Sequence, residues 1–150
     1  MKKVDQVNEL HERAMTLAEE AFILKRTKNG ASTTDLYQKA FELEKEAAMM
    51  LVSDYDIEPT RSVLFKGAAS LAYNCRLFRE AERMIAFGLS GNPPVQIAQE
   101  LRDLMVIIKT ATPDIPAIDK FKQLPENLQN EVLDFIDFLM AKHGTSPDFR

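Results

Sequence analysis

The sequence contains little cysteine, glycine and proline, and the low content of each residue excludes some classes of structure and function. With a single cysteine among 150 residues, Cys75, the chain cannot form an internal disulfide, which is typical of a protein in a reducing cytoplasm. Five glycines and seven prolines leave room for few turns, so we expect few and long elements. No stretch approaches the roughly 20 apolar residues of a membrane-spanning helix, and we expect no membrane association.

Charge and composition indicate an ordinary globular protein. Hydrophobic residues make up 45% and charged residues 28% of the chain, which is long enough for one domain with a real core. The net charge of −4 makes nucleic-acid binding unexpected, because domains that bind nucleic acid usually carry a basic stripe. The first residues, MKKVDQVNEL, lead into an acidic amphipathic stretch and predict neither a signal peptide nor a transit peptide.

The sequence carries no recognisable catalytic or metal-binding pattern. Neither His11 nor His143 has a second histidine or a cysteine at ligand spacing, and no glycine-rich phosphate loop is present. Arg76 would lower the pKa of the neighbouring Cys75 thiol, but no base accompanies it, so we expect a structural cysteine. Acidic residues of the second helix are expected on a solvated face: Glu42, Glu44 and Glu46. We therefore expect no enzymatic activity, cofactor or metal.

Apolar residues at spacings of three and four predict a body of five helices over residues 4–109. Between the first two helices, Asn29-Gly30 is a predicted stop, and Ser32, Thr33 and Thr34 are predicted N-caps. Glu58 or Thr60 is expected to open the third helix, while Gly88, Gly91 and Pro93-Pro94 stop the fourth. The predicted helices are Val4–Lys28, Thr34–Ser53, Pro59–Asn74, Phe78–Leu89 and Val95–Thr110.

The third and fourth helices resemble a tetratricopeptide repeat. In that family the first helix carries a bulky residue, a small pair and a large residue, and the second helix carries an alanine, a bulky residue and a closing proline. The matching positions here are Phe65, Ala68, Ala69, Ala72, Ala81, Ile85, Gly88 and Pro93. The position of a large residue at the end of the repeat's first helix is taken by Ala72, with Tyr73 beside it. The resemblance implies antiparallel hairpins, with residues 4–53 as an elongated, degenerate first repeat. An unrelated helical hairpin with alanine-rich packing is the alternative.

In a tetratricopeptide array, the first helix of each repeat lines a concave groove that binds a peptide. The resemblance places Arg61, Lys66, Tyr73 and Asn74 at this groove, where their side chains could hold the carboxylates or backbone of a peptide. An ordinary solvated helix face is the alternative for these positions.

The proline-containing segment 110–117, TATPDIPA, is predicted to be a linker to a separate C-terminal unit over residues 118–143. Ile118–Gln123 is predicted as a short helix, followed after Leu124-Pro125 by a longer amphipathic helix to about Lys142. The unit resembles a segment of small bacterial proteins of largely unassigned function, some of them antitoxin-like proteins of the VapB type. The residues that carry this resemblance are Leu124-Pro125, Leu128, Val132, Leu133, Phe135, Ile136, Phe138, Leu139 and Lys142.

The last helix has an apolar arc of roughly 220°, wider than the ~100° that suffices to pack a surface helix on one core. Such a helix must bury two faces, either against a partner or between helices of its own chain. Leu133 and Met140 widen the arc on one side and Phe138 widens it on the other. The residues of this helix predicted to contact a partner are Leu133, Phe135, Phe138 and Met140.

These observations predict an all-α, cytoplasmic, non-enzymatic protein that binds another protein or peptide. The expected role is a bacterial adaptor or antitoxin-like partner that acts through its C-terminal helix or concave groove. Two alternatives stay open. One is a self-associating structural module, in which the same helix pairs between two copies. The other is a DNA-binding regulator of the antitoxin type, which the acidic charge disfavours.

Overall fold

Seven α-helices form the regular structure of the computed structural model, which describes residues 2–27, 30–111 and 116–143. No strand occurs among these residues, which confirms the predicted all-α fold. The helices are α1 (Lys3–Arg26), α2 (Gly30–Met50), α3 (Thr60–Asn74), α4 (Phe78–Leu89), α5 (Val95–Ala111), α6 (Pro116–Gln123) and α7 (Glu126–His143). None of the helices in the described ranges is long and apolar enough to cross a membrane.

The chain divides into two compact units, Met1–Thr112 and Pro113–Arg150. In the first, α1 packs along α2, α2 on α3, α3 on α4, and α5 on both α3 and α4. Part of the predicted linker, residues 112–115, lies outside the described residues. The rest of it is helical, because α5 continues to Ala111 and α6 begins at Pro116. A proline fits the first turn of a helix, where its missing N–H has no partner to lose.

The core of the first unit combines many alanines with a few large side chains. Fully buried alanines allow the helix axes to approach closely, and Phe65 and Ile85 fill the space between them. The ring of Phe65 stacks on that of Phe87 at a centroid distance of 5.6 Å. Buried alanines occur on α1 to α4: Ala14, Ala21, Ala40, Ala47, Ala48, Ala68, Ala69, Ala72 and Ala81.

The start of α2 was predicted wrongly. Gly30 begins the helix instead of separating it from α1, and Thr33 and Thr34 lie within it. Thr33 is buried four residues before buried Tyr37, so the packed face of α2 extends one turn further than predicted. Packing of a helix face outweighs the preference of threonine for a cap position. The predicted end at Lys28 of α1 lies outside the described residues.

The turns before and after α3 contain no glycine and are held by hydrogen bonds. At its start, the Glu58 carboxylate accepts hydrogen bonds from the backbone N–H and the hydroxyl of Ser62, at 3.2 and 2.6 Å. At its end, Arg76 has a φ of 62°. There the N–H of Leu77 donates to the Ala72 carbonyl at 2.9 Å, as in a Schellman motif. Pro59 is the N-cap residue of α3, and the carboxylate of the preceding Glu58 accepts from the first turn at Ser62.

Two glycines predicted as helix stops, Gly88 and Gly91, also have packing roles. Gly88 lies inside α4 and is buried, and a Cβ there would be 2.9 Å from Leu101 Cδ1. A Cβ at Gly91 would collide with the guanidinium of Arg61. Both positions need a residue without a side chain because another helix or side chain occupies the space.

Candidate interaction surfaces

The groove-facing residues predicted on α3 turn towards different neighbours. Lys66 is half-buried, and its ammonium group donates to Glu100 of α5. This hydrogen bond holds the pKa of the Glu100 carboxyl below its usual range. Lys66 therefore already has an anionic partner within its own chain, which reduces its availability to a peptide carboxylate.

Tyr73 and Asn74 close the C-terminal end of α3. The Tyr73 ring packs against Phe78 at a centroid distance of 5.9 Å and is partly buried against the core. Asn74 is exposed. Of the four predicted groove residues, only Asn74 is a fully accessible polar side chain.

The prediction that Arg61 contacts a partner is wrong, because its side chain is 0% exposed. Its Nη2 donates to the Val52 carbonyl at 2.8 Å, and its Nε lies 3.2 Å from the carbonyls of Leu51 and Val52. The guanidinium also lies over the rings of Tyr55 and Phe65, at 4.9 and 5.0 Å from their centroids. Arg61 thus donates hydrogen bonds to the carbonyls of Leu51 and Val52, just after α2, from a buried position and ties α2 to α3.

A buried ion-pair candidate that the sequence did not reveal lies between α1 and α2. Glu44, expected on a solvated face, is only 1% exposed, and both of its carboxylate oxygens lie within 3.0 Å of His11 Nδ1. Burial raises the pKa of Glu44, while the hydrogen bond and charge of His11 act in the opposite direction. No local spacing could have signalled this pair, because the partners are 33 residues apart.

A small cleft of about 180 Å³ opens beside His11. It is lined by the N-terminal half of α1 and the start of α3, at Val7, Asn8, His11, Pro59, Thr60, Val63 and Leu64. Its lining is mostly apolar. Among the described residues, no group of three or more histidine, cysteine or acidic side chains could hold a metal ion.

Cys75 follows α3 and is buried. Burial, with a smaller contribution from the charge of Glu42, raises the pKa of its thiol to about 11. The expected lowering by Arg76 is therefore overturned, and the thiol is protonated and weakly nucleophilic at neutral pH.

In the C-terminal unit, α7 contains no buried residue. Phe135 and Phe138 are 60% and 58% exposed, and Leu133 and Met140 are each 47% exposed. We call the following set the α7 apolar surface: Leu128, Val132, Leu133, Phe135, Ile136, Phe138, Leu139 and Met140. All four residues predicted to contact a partner on this helix belong to it.

A groove of about 400 Å³ runs along the first half of the α7 apolar surface. It is lined by Leu124, Leu128, Glu131, Val132 and Phe135. The side-chain amide of Gln129 donates to the Leu124 carbonyl at 2.9 Å and fixes the corner between α6 and α7. The groove is therefore apolar, with the carboxylate of Glu131 as its only ionisable side chain.

Comparison with known proteins gives one result. Residues 118–149 match a family model described as a protein of unknown function, DUF2281. The match begins at Ile118, at the predicted start of the C-terminal segment, and covers less than a quarter of the chain. No curated protein and no solved structure matches this chain significantly.

Proposed function

We propose that this protein is a non-enzymatic, cytoplasmic protein-interaction module and that α7 is its docking helix. The α7 apolar surface carries the proposal, because two exposed phenylalanines within four residues are costly to leave in water. Exposed apolar faces of this kind serve as anchors when an amphipathic helix binds in a partner's groove.

The face of α3 is the weaker candidate for docking. Arg61 is buried and Lys66 is paired with Glu100, so the cations needed to hold an acidic peptide are already engaged. We propose instead that residues 3–111 act as a tetratricopeptide-like scaffold. Support comes from the small residues Ala68, Ala69 and Ala72, fully buried on α3 where it packs between α2 and α4.

We also propose the bacterial adaptor or antitoxin-like role for the C-terminal segment. The support is the resemblance of Leu124-Pro125 and the apolar residues after it to the segment of antitoxin-like proteins. The family model that matches residues 118–149 has no assigned function. The net charge of −4 favours a protein partner over DNA.

Affinity capture with matched variants of the full chain tests the docking helix. The double variant Phe135→Asp/Phe138→Asp adds two charges to the α7 apolar surface. The control, Asn127→Asp/Asn130→Asp, adds the same two charges to exposed positions on the polar side. We expect wild type and control to retain the same partner and the phenylalanine variant to lose it. A synthetic α7 peptide should then displace that partner.

Equal capture by both double variants would exclude α7 as the docking helix. Far-UV circular dichroism of each variant, compared with wild type, shows whether the fold of the chain is retained.

A further inference from the structure

We propose that the partner of α7 is α7 of a second copy of this chain, bound antiparallel, with Glu131 of each copy beside Lys142 of the other. This inference rests on the proposed function, because it names the partner of the same helix. Two observations support it: the positions of the charged residues along α7, and the apolar lining of the groove that contains Glu131.

Glu131 and Lys142 lie on the same flank of the α7 apolar surface. They are eleven residues apart, and at about 100° per residue this separation brings them within about 20° of each other around the helix. Both are exposed. They are also separated along the axis by about 16 Å, at roughly 1.5 Å per residue, so they cannot pair within one helix.

Antiparallel pairing brings the same flank of two helices together. A two-fold axis makes the interface self-complementary, so Glu131 meets Lys142 of the partner subunit, and Lys142 meets the partner's Glu131. Parallel pairing would place the flank of Glu131 against the opposite flank, at Ile136 of the partner subunit. Of the two arrangements, only the antiparallel one places a cation, Lys142 of the partner subunit, beside the carboxylate of Glu131.

The groove fits the same register. With Glu131 level with Lys142 of the partner subunit, Phe135 is level with the partner's Phe138. The groove that contains Glu131 then receives an apolar side chain followed four residues later by a cation, which are Phe138 and Lys142 of the partner subunit. An apolar groove with one carboxylate is complementary to that pair in polarity and charge.

Charge reversal tests the pairing in the full chain. In Glu131→Lys, a dimer contains two contacts between lysines, and in Lys142→Glu it contains two contacts between glutamates. We expect each variant to raise the dimer dissociation constant about tenfold in sedimentation equilibrium. A mixture of the two variants contains only opposite charges at both contacts, so it should form a heterodimer with near wild-type affinity. The double variant should dimerise like wild type.

Asp137→Lys is the control, because Asp137 is exposed and lies on the polar strip of α7. This reversal should leave the dissociation constant within about twofold of wild type. Raising the salt concentration should weaken the wild-type dimer and strengthen each single variant relative to it, because salt screens the attraction in the wild type and the repulsion in the variants.

Three results would overturn the inference. A wild-type chain that stays monomeric at every concentration excludes a second copy, although capture of a different protein through α7 would leave the proposed function intact. A dimer that persists in Phe135→Asp/Phe138→Asp does not use this surface. A mixture of Glu131→Lys and Lys142→Glu that associates no better than either variant alone rules out the antiparallel register.

Discussion

His11 Nδ1 lies 3.0 and 2.9 Å from the two carboxylate oxygens of Glu44, and this contact joins α1 to a buried position on α2. The carboxylate also occupies the space beside Gly67 of α3, where a Cβ would be 2.6 Å from its Oε1. Three helices thus meet at one ionisable side chain, so the protonation of Glu44 should affect the stability of the first unit.

The stability contribution of Glu44 should depend on pH. Burial raises the pKa of Glu44 above its ordinary value of 4.5, so the folded chain keeps this proton at a pH where the unfolded chain has lost it. Its contribution is fully present below pH 4.5 and is lost as the pH rises through the raised pKa. We therefore expect the free energy of unfolding of wild type, relative to Glu44→Gln, to fall as the pH rises over this window.

Urea unfolding between about pH 4 and about pH 7 measures this difference. The control Glu42→Gln removes an exposed carboxylate from the same helix and should track wild type. A difference between wild type and Glu44→Gln that is constant with pH, or that grows as the pH rises, would contradict the direction of the pKa shift.

Gly67 should be energetically coupled to Glu44. In wild type, Gly67→Ala forces the carboxylate away from His11, and the loss of this contact offsets the helix propensity that alanine gains. In a Glu44→Ala background the space is free, and Gly67→Ala should stabilise the chain by about 1 kcal/mol. A double-mutant cycle measures the coupling, and equal effects of Gly67→Ala in both backgrounds would show that the two residues are independent.

The sequence was sufficient to predict the bounds of those helices whose apolar residues recur at helical spacing. α4 was predicted with both bounds correct, and the start of α3 and the end of α5 each differ from the prediction by one residue. The start of α2 was missed because its packing on neighbouring helices extends it past the cap signals. The spacing of apolar residues predicts the bounds of a helix well when the helix's own residues determine its length. It predicts them less well when contacts with other helices determine that length.

The buried charges could not be predicted from the sequence. Arg61 and Glu44 occupy positions that look solvated, because a helical pattern shows which face is apolar but not which long side chain crosses the core. Their partners are the Leu51 and Val52 carbonyls and the imidazole of His11, which only the fold brings close. The wide apolar arc of α7 was predictable because it follows from the helical period alone, but the sequence left open whether helices of the same chain cover it.

Arg61→Lys should destabilise the first unit strongly. Lysine keeps the charge but lacks the planar guanidinium whose N–H groups donate to the carbonyls of Leu51 and Val52. These carbonyls would therefore lose their hydrogen-bond donors. We expect a loss of about 3 kcal/mol in the free energy of unfolding. The exposed control Arg79→Lys should change it by less than about 0.5 kcal/mol. If urea unfolding shows the same change in the free energy of unfolding for both substitutions, the buried guanidinium of Arg61 adds no stability.

A chain that ends at Thr112 should fold as stably as the full-length protein. The buried core residues of the described chain lie between Val7 and Ile108, and α7 contributes none. Because the slope of urea unfolding scales with the surface exposed, the truncated chain should keep the slope and midpoint of the main transition. Its far-UV circular dichroism should lose only the helical signal of α6 and α7.

A peptide of residues 116–150 should behave differently from this truncated chain. Short helices without a covered apolar face are marginally stable in water, so the peptide should be weakly helical when dilute and gain helicity as its concentration rises. Aggregation of the chain that ends at Thr112, or a lower midpoint than full length, would show that the C-terminal unit covers part of the core. The α7 apolar surface would then be an internal packing face, and the proposed docking role would fail with it.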